Sequence, residues 1–585
     1  MRDLYTKEGK RLADRAAGDA SFVPWNTYPR PQMVRGAWQC LNGWWDFAAG
    51  EGEAFPERIL VPFCPESLLS GIHKTYEEED TFRYRRRFRL ELPREGRRIL
   101  LHFGAVDQEA EVFVNGRLAG RHEGGYLPFS LDITALVGEE NELRVTAKDP
   151  LSHRLPWGKQ KKDRGGMWYT PVSGIWQSVW LEAVPDNYIR HLDIQSGLDR
   201  VRIRAEGISE GTLRLEEEEE SLLPGGVREF ALKEGCAEMM FERPVNWTPD
   251  NPKLYYFTLR SGEDEVRSYF ALRSISSEVI EGVPRLCLNR KPFYFHGLLD
   301  QGYFSDGLYT PAEPALYEQD ILAMKSLGFN MLRKHIKIEP EQFYFDCDRL
   351  GMIVFQDMVN NGEYNFFRDT VLPTVGILKL GDRRPGIKAP VREAFYKAME
   401  GTVRLLSPHP CICAWTIFNE GWGQFEADRA YEKLKKLDGS RLIDATSGWF
   451  HREKSDVDSL HIYFKKLHLG KEKKPQLLSE FGGYVWKEPE HSSNTEKTYG
   501  YRILKSREEF LQALRALYEE QLLPLIGKGL CGSIYTQVSD VEDETNGMLT
   551  YDRCVLKIRP EEFSDVSARL IRAGADCQSP EDVVQ

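Results

Sequence analysis

Two glutamates stand out by where they fall. Ile412-Cys-Ala-Trp-Thr-Ile-Phe-Asn-Glu420-Gly-Trp-Gly-Gln424 opens as a short apolar run, the pattern of a strand buried on both faces, and stops at Asn419, Glu420 and closely spaced glycines. Gln476-Leu-Leu-Ser-Glu480-Phe-Gly-Gly483 repeats that design 60 residues later. Burying such a carboxylate without a partner costs roughly several kcal/mol. Each glutamate therefore has a structural partner or stands at the mouth of a cavity where its acidity is used. In a barrel of eight parallel strands all C-terminal strand ends point to one face, so carboxylates from non-adjacent strands meet across the mouth. A carboxylate pair in that place is the equipment for glycoside hydrolysis.

The elements needed to hold them there are legible. After Arg273 strand alternates with helix: strands at 293–297, 329–333, 352–357, 412–419, 442–445, 459–463, 476–480 and 532–537, and helical periodicity near 317–327, 341–350, 391–406, 424–436 and 506–526. Eight strands predict a (β/α)8 TIM barrel, with Glu420 ending the fourth and Glu480 the seventh. The long segment 360–390, rich in aromatics, Pro and charge, is expected to form part of the rim. Upstream the rhythm is strand after strand. Residues 20–183 carry alternating runs such as Phe82-Arg-Tyr-Arg-Arg-Arg-Phe and a Val114-Asn115-Gly116 hairpin signal, which predicts an antiparallel jelly roll. The shorter strands of 184–276 suit an immunoglobulin-like β-sandwich. The expected domains are therefore 1–183, 184–276 and 277–585. Trp157, Trp168 and Tyr169 belong either to the core or to a sugar-facing rim, and the acidic run 216–220 reads as a solvated turn.

Composition limits the partners. The chain has 585 residues, 41% of them hydrophobic, and a net charge of -12, so neither nucleic acid nor an anionic membrane is an expected partner. The N-terminus lacks the apolar core of a signal peptide and no run is long enough to span a bilayer, which predicts a cytoplasmic protein. The ten cysteines show neither Cys-x-x-Cys pairing nor zinc spacing. Buried reduced thiols are expected, with no metal and no cofactor.

Four motifs carry a family resemblance over the whole chain: Gly166-Met-Trp-Tyr-Thr-Pro-Val-Ser-Gly-Ile-Trp176, Leu288-Asn-Arg-Lys-Pro-Phe, Phe418-Asn-Glu-Gly and Ser479-Glu-Phe-Gly-Gly. The chain resembles glycoside hydrolase family 2, which holds β-galactosidases, β-glucuronidases and β-mannosidases. The resemblance implies a retaining, exo-acting β-glycosidase with Glu420 as general acid/base and Glu480 as nucleophile. It also implies Asn419 as the contact to the sugar 2-hydroxyl, Tyr463 as a hydrogen-bond donor to the nucleophile, and Arg333 as the cation that keeps it ionised. Asp163 is the candidate to reach the pocket from the jelly roll, and Trp449 a candidate to contact the sugar. Relatives often assemble, so a homo-oligomer is compatible with the resemblance.

The departures bear on the substrate. Lys334-His335-Ile-Lys337 follows Arg333 in place of Ser-His-Tyr-Pro, which makes His335 a displaced candidate. Tyr535 stands where the family usually has a sugar-stacking tryptophan. Glucuronidase members carry Asn-x-Lys where this chain has Glu544-Thr545-Asn546, and an acidic group there would repel a uronate. The expected substrate is accordingly a neutral, β-galactoside-like sugar, the alternatives being a β-glucuronidase that grips its carboxylate through Lys334 or Lys337, and an inactive carbohydrate-binding protein. Asp300, Asp357, Asp540 and Asn546 are candidates for sugar hydroxyls, or for loop capping.

Overall fold

The computed structural model describes residues 2–216, 228–374, 382, 387–471 and 473–576. Alternation builds the first domain. In Glu140–Lys148 every second side chain, from Asn141 to Ala147, is buried. The strands form a six-stranded antiparallel sheet and a four-stranded one, with Phe47, Tyr84, Val112 and Val145 packed in one core with Leu101, Phe103 and Leu181. Asn115 and Gly116 both have positive φ, 51° and 76°, which the tight hairpin between Glu109–Val114 and Arg117–Glu123 requires.

A three-stranded sheet (His191–Ser196, Arg200–Glu206, Cys236–Met240) and a four-stranded one follow, sharing a core around Leu213, Tyr255, Phe257 and Phe270. Glu216 pairs with Arg267, and 217–220 of the acidic run lie outside the described residues. Arg35 ties the two sandwiches together: it is buried, with Nη1 3.1 Å from Glu182 and Nη2 2.9 Å from Asp264. Burial alone would raise the Glu182 carboxyl, but Arg30, His102 and Arg35 hold it below its ordinary value. Its contribution to stability is therefore present above the unfolded value of about 4.3 and is lost as pH falls through the depressed folded value. Arg35→Met leaves both carboxylates buried with less compensation. The expected loss is about 3–5 kcal/mol at neutral pH, read as an earlier unfolding transition in urea.

The barrel strands are β1 Phe295–Asp300, β2 Met331–Lys334, β3 Ile353–Asp357, β4 Ile412–Asn419, β5 Leu442–Ser447, β6 Asp458–Ile462, β7 Gln476–Phe481 and β8 Leu530–Tyr535. All are parallel, in the order β5-β4-β3-β2-β1-β8-β7-β6. The ring closes between β5 and β6 through one bridge, Gly448 to Leu460. Nearly every strand residue is buried, as expected where side chains fill the interior and helices cover the outside. Helices Ala315–Ser326, Glu341–Leu350, Ala389–Leu406 and Ala427–Leu437 follow β1 to β4, and Arg507–Ala516 begins the helical run before β8. Of the expected rim segment, 375–381 and 383–386 lie outside the described residues. A helix absent from the sequence expectations, Lys7–Gly18, docks on the barrel. Thr6 caps it and donates to Asp306, 2.7 Å away, in the segment after β1.

Candidate active site

Glu420 directly follows β4 and takes a left-handed backbone, φ 49°, with its N–H donating to the Ser447 carbonyl at the end of β5. A non-glycine residue held there is strained, and the neighbouring strand end keeps it so. Gly423, at φ 62°, lies against the Asn361 backbone, where a Cβ would come within 2.0 Å of the carbonyl oxygen. Glu480 sits near the end of β7. Both glutamates are over nine-tenths buried. One oxygen of each, together with a ring nitrogen of His461, lies within 4.8 Å of the others. That spacing suits direct attack on an anomeric carbon, for which the two carboxyl groups stand about 5–5.5 Å apart.

The two carboxylates differ in surroundings. Glu480 accepts from Arg333 Nη1 at 3.3 Å and from the Tyr463 hydroxyl. Burial would raise its carboxyl, but His461, Arg333, His335 and Lys159 together hold it below the usual value, so it stays ionised. Arg333, fully buried, also donates to Asp357 at 3.0 Å and to Asn419 Oδ1 at 2.8 Å. That second bond turns the Asn419 amide so that Nδ2 is left as a buried donor with no partner in the protein. Such an atom is expected to meet a ligand acceptor. Tyr463 is held by a ring stacked on Tyr501 at 3.6 Å.

His461, on β6, was missed by sequence reasoning; its spacing of two from Tyr463 on the same strand face was the available signal. Nδ1 lies 2.8 Å from Glu420 Oε1 and Nε2 2.9 Å from Ser447 Oγ. Arg333 Nη1, which can only donate, lies 3.4 Å from Nε2, so the ring proton belongs on Nδ1, donating to Glu420. Oε1 of Glu420 is thereby fixed and Oε2 remains to carry a transferable proton. His461→Ala frees that carboxylate to turn. The expected result is a fall in kcat on the order of 10²-fold for glycosides with poor leaving groups and a smaller one for dinitrophenyl glycosides, measured across a leaving-group series.

The other expected residues divide. Asp357 is buried at the end of β3, and His335 donates Nδ1–H to it at 2.6 Å. Burial and Lys159 push the His335 imidazole down to about 4, so it is neutral at pH 7. Trp449 is half-buried against His461, its Nε1 without a protein partner. Asn546 gives Nδ2 to Glu544 and keeps Oδ1 free of protein partners. Asp300 is taken up by Lys334, 2.6 Å away, and by the N–H of Gly302, a turn-capping arrangement. Asp540 accepts from Lys557 at 2.6 Å and from the Gly547 N–H. Tyr535 packs in the core on Phe481, its hydroxyl accepting from Tyr484 N–H, because Gly482 beside it leaves room for the ring. Asp163 is exposed on its loop. Lys334 and Lys337 do not serve as carboxylate grips. Lys334 is bound to Asp300 and Glu339, and Lys337 to Glu339 and to the carbonyls of Gly302 and Tyr309.

The loop between Trp157 and Tyr169 brings the jelly roll to the barrel mouth. Trp157 Nε1 donates to the Gly362 carbonyl, Arg164 pairs with Glu542, and the Tyr169 hydroxyl donates to Glu544. Trp157 stacks on Trp168, which packs in turn on Tyr364 and Trp422, two residues beyond Glu420. Trp157, Trp168 and Tyr169 are all buried where this loop packs on the barrel. Lys159, also missed, is buried here with Nζ 5.9 Å from the Trp422 ring centre. Among the described residues, two clusters have metal-ligand atoms within reach: Glu420/His461/Glu480, and His491/Asp552/Cys554. His491 and Asp552 already share a 2.7 Å hydrogen bond.

Two β-sandwiches ahead of a barrel with facing glutamates at its C-terminal mouth define the class: a multidomain barrel protein built around a carbohydrate-type site. Comparison with known proteins agrees. Residues 66–204 match the glycosyl hydrolase 2 galactose-binding domain-like family, and 280–497 the glycosyl hydrolases family 2 TIM barrel domain. The chain belongs to glycoside hydrolase family 2. A β-galactosidase from Thermoanaerobacter pseudethanolicus is 26% identical over 462 residues, covering 73% of this chain and 57% of that protein. A β-glucuronidase from Chlorocebus aethiops is 25% identical over 419 residues, covering 63% of this chain and 60% of that protein. The chain thus spans less than two thirds of the length of these relatives. The solved β-D-glucuronidase of Dictyoglomus thermophilum shares the fold, with a TM-score of 0.69 at 17% identity, covering 92% of this chain and 98% of that one.

Proposed function

We propose that the protein is a retaining, exo-acting β-glycosidase that removes a terminal β-linked sugar by double displacement, with Glu480 as nucleophile and Glu420 as acid/base. The carrying observation is the pair itself: oxygens within 4.8 Å, one carboxylate held ionised by Arg333 and Tyr463, the other tied by one oxygen to His461. Glu420 protonates the leaving oxygen as Glu480 attacks. Once the glycosyl ester forms, the negative charge facing Glu420 is gone, and Glu420 then takes a proton from the incoming water. Asn419 Nδ2 meets the sugar's 2-hydroxyl. The loop 157–169 walls one side of the mouth, which supports cleavage at a chain end.

For the sugar, a neutral β-galactoside-like ring follows from the acidic Glu542–Glu544 run. A second reading, a β-glucuronide, is favoured by the engagement of Glu544 by Tyr169 and Asn546 and by the cation Lys159. The test is labelling with 2-deoxy-2-fluoro β-glycosides of galactose, glucose and glucuronic acid. A stable ester on the peptide bearing Glu480 is expected from at least one of them, and labelling elsewhere or none at all counts against the mechanism. Among the described residues no cysteine is in a disulfide, and six of the nine are buried, which supports a reducing compartment such as the cytoplasm. Among the described residues no helix is long and apolar enough to cross a membrane. Self-association completes the proposal and is read by sedimentation.

A further inference from the structure

Among the described residues, four lysines are more than nine-tenths buried: Lys159, Lys334, Lys337 and Lys557. Three have carboxylates within 3 Å: Asp300 and Glu339 for Lys334, Glu339 for Lys337, and Asp540 for Lys557. Lys159 has none among the described residues. Its ammonium lies over the Tyr169 and Trp422 rings, 5.6 and 5.9 Å from their centres, and 3.2 Å from the Gln301 amide oxygen in the orientation that satisfies that side chain. Ring faces and one neutral amide compensate a desolvated ammonium poorly, and buried charges are ordinarily paired.

Its place is built. The next residue, Gln160, donates to Asp107 at 2.9 Å and to the Tyr126 hydroxyl at 3.1 Å, and accepts from the Val172 N–H, so the backbone that carries Lys159 is pinned to the jelly roll. Lys159 is close enough to the reacting centre that its charge acts on both Glu480 and His335. Gln301 and Gln537, after β1 and β8, stand beside it with their side-chain amides 2.8 Å apart. An ammonium that has no carboxylate partner among the described residues thus stands at one side of the barrel mouth. An anionic group supplies the missing countercharge.

We propose that Lys159 is a specificity-determining residue that reads an anionic substituent, a carboxylate or a sulfate, on the sugar held above Glu480. This rests on the hydrolase reading and selects the acidic sugar over the neutral one. The experiment compares kcat/KM for nitrophenyl β-D-glucuronide, β-D-galacturonide and 6-sulfo-β-D-galactoside with that for the neutral β-D-galactoside and β-D-glucoside, in wild type and in Lys159→Met and Lys159→Gln. One acidic substrate is expected to exceed the neutral ones, and which one it is distinguishes carboxylate from sulfate. Either substitution is expected to cut the acidic-to-neutral ratio on the order of 100-fold. A ratio within one variant needs only the folded fraction, so partial misfolding leaves it readable. Turnover of neutral glycosides in preference to all acidic ones, or a ratio unchanged in both variants, overturns the Lys159 assignment and leaves the hydrolase reading standing. Inertness of wild type toward the whole set overturns both.

Discussion

Glu480→Gln is expected to abolish turnover of every glycoside, whatever its leaving group, with kcat falling on the order of 10⁵-fold, or about 7 kcal/mol of transition-state stabilisation. The amide is isosteric but cannot attack the anomeric carbon, and its NH2 group has no good place among the donors that face it. Arg333 Nη1 and the Tyr463 hydroxyl both donate to that side chain. An external nucleophile such as azide, entering from the α face that Glu480 vacates, is expected to give at most an α-glycosyl azide and no β-product. The depressed Glu480 carboxyl adds a pH expectation: the acid limb of kcat/KM in wild type lies below the ordinary glutamate value of about 4.3, since the nucleophile stays ionised to lower pH. Residual activity of Glu480→Gln within tenfold of wild type would remove the nucleophile assignment.

Glu420→Gln should behave differently. Removing a general acid costs about 10²–10⁴-fold where the leaving group needs its proton, and little in the first step where it does not. Dinitrophenyl glycosides should therefore still form the glycosyl-enzyme, show a burst, and then stall, because no base activates the water. Azide, which needs no base, should restore turnover and yield the β-glycosyl azide. The ground for the contrast is geometric: the two carboxylates share His461 within 3.5 Å, yet only Glu480 is braced by Arg333. Equal losses in both variants across the leaving-group series, with azide without effect, would count against the split of roles.

The order of strands and helices and the two glutamates were visible in the chain as local patterns: a buried strand ending in a polar residue, a glycine that lets the chain turn, a period that changes from two to 3.6. Arg333, Tyr463 and Asn419 were singled out by the family resemblance. Strand positions shifted by only one to three residues. The Asn115-Gly116 hairpin formed as its turn chemistry demands. The helix Lys7–Gly18 went unseen although Thr6 supplies a cap, because its stability comes from a dock on Asp306, three hundred residues away. Tyr535, Asp300 and the paired lysines show the same limit from the other side: each is a plausible sugar contact by position, and each is claimed by a partner that no local pattern announces.

His461 and Lys159 mark where linear order stops informing. His461 matters because β4, β6 and β7 curve to bring Glu420 and Glu480 to its ring, which is a property of barrel closure. Lys159 matters because a loop from one domain enters the mouth of another and leaves its ammonium without a carboxylate among the described residues. The strand pattern specifies which side chains face inward, and that follows from alternation along one segment. Which inward groups find each other depends on desolvation and hydrogen bonding summed over segments far apart in the chain, and these are set when the sheets close and the domains dock.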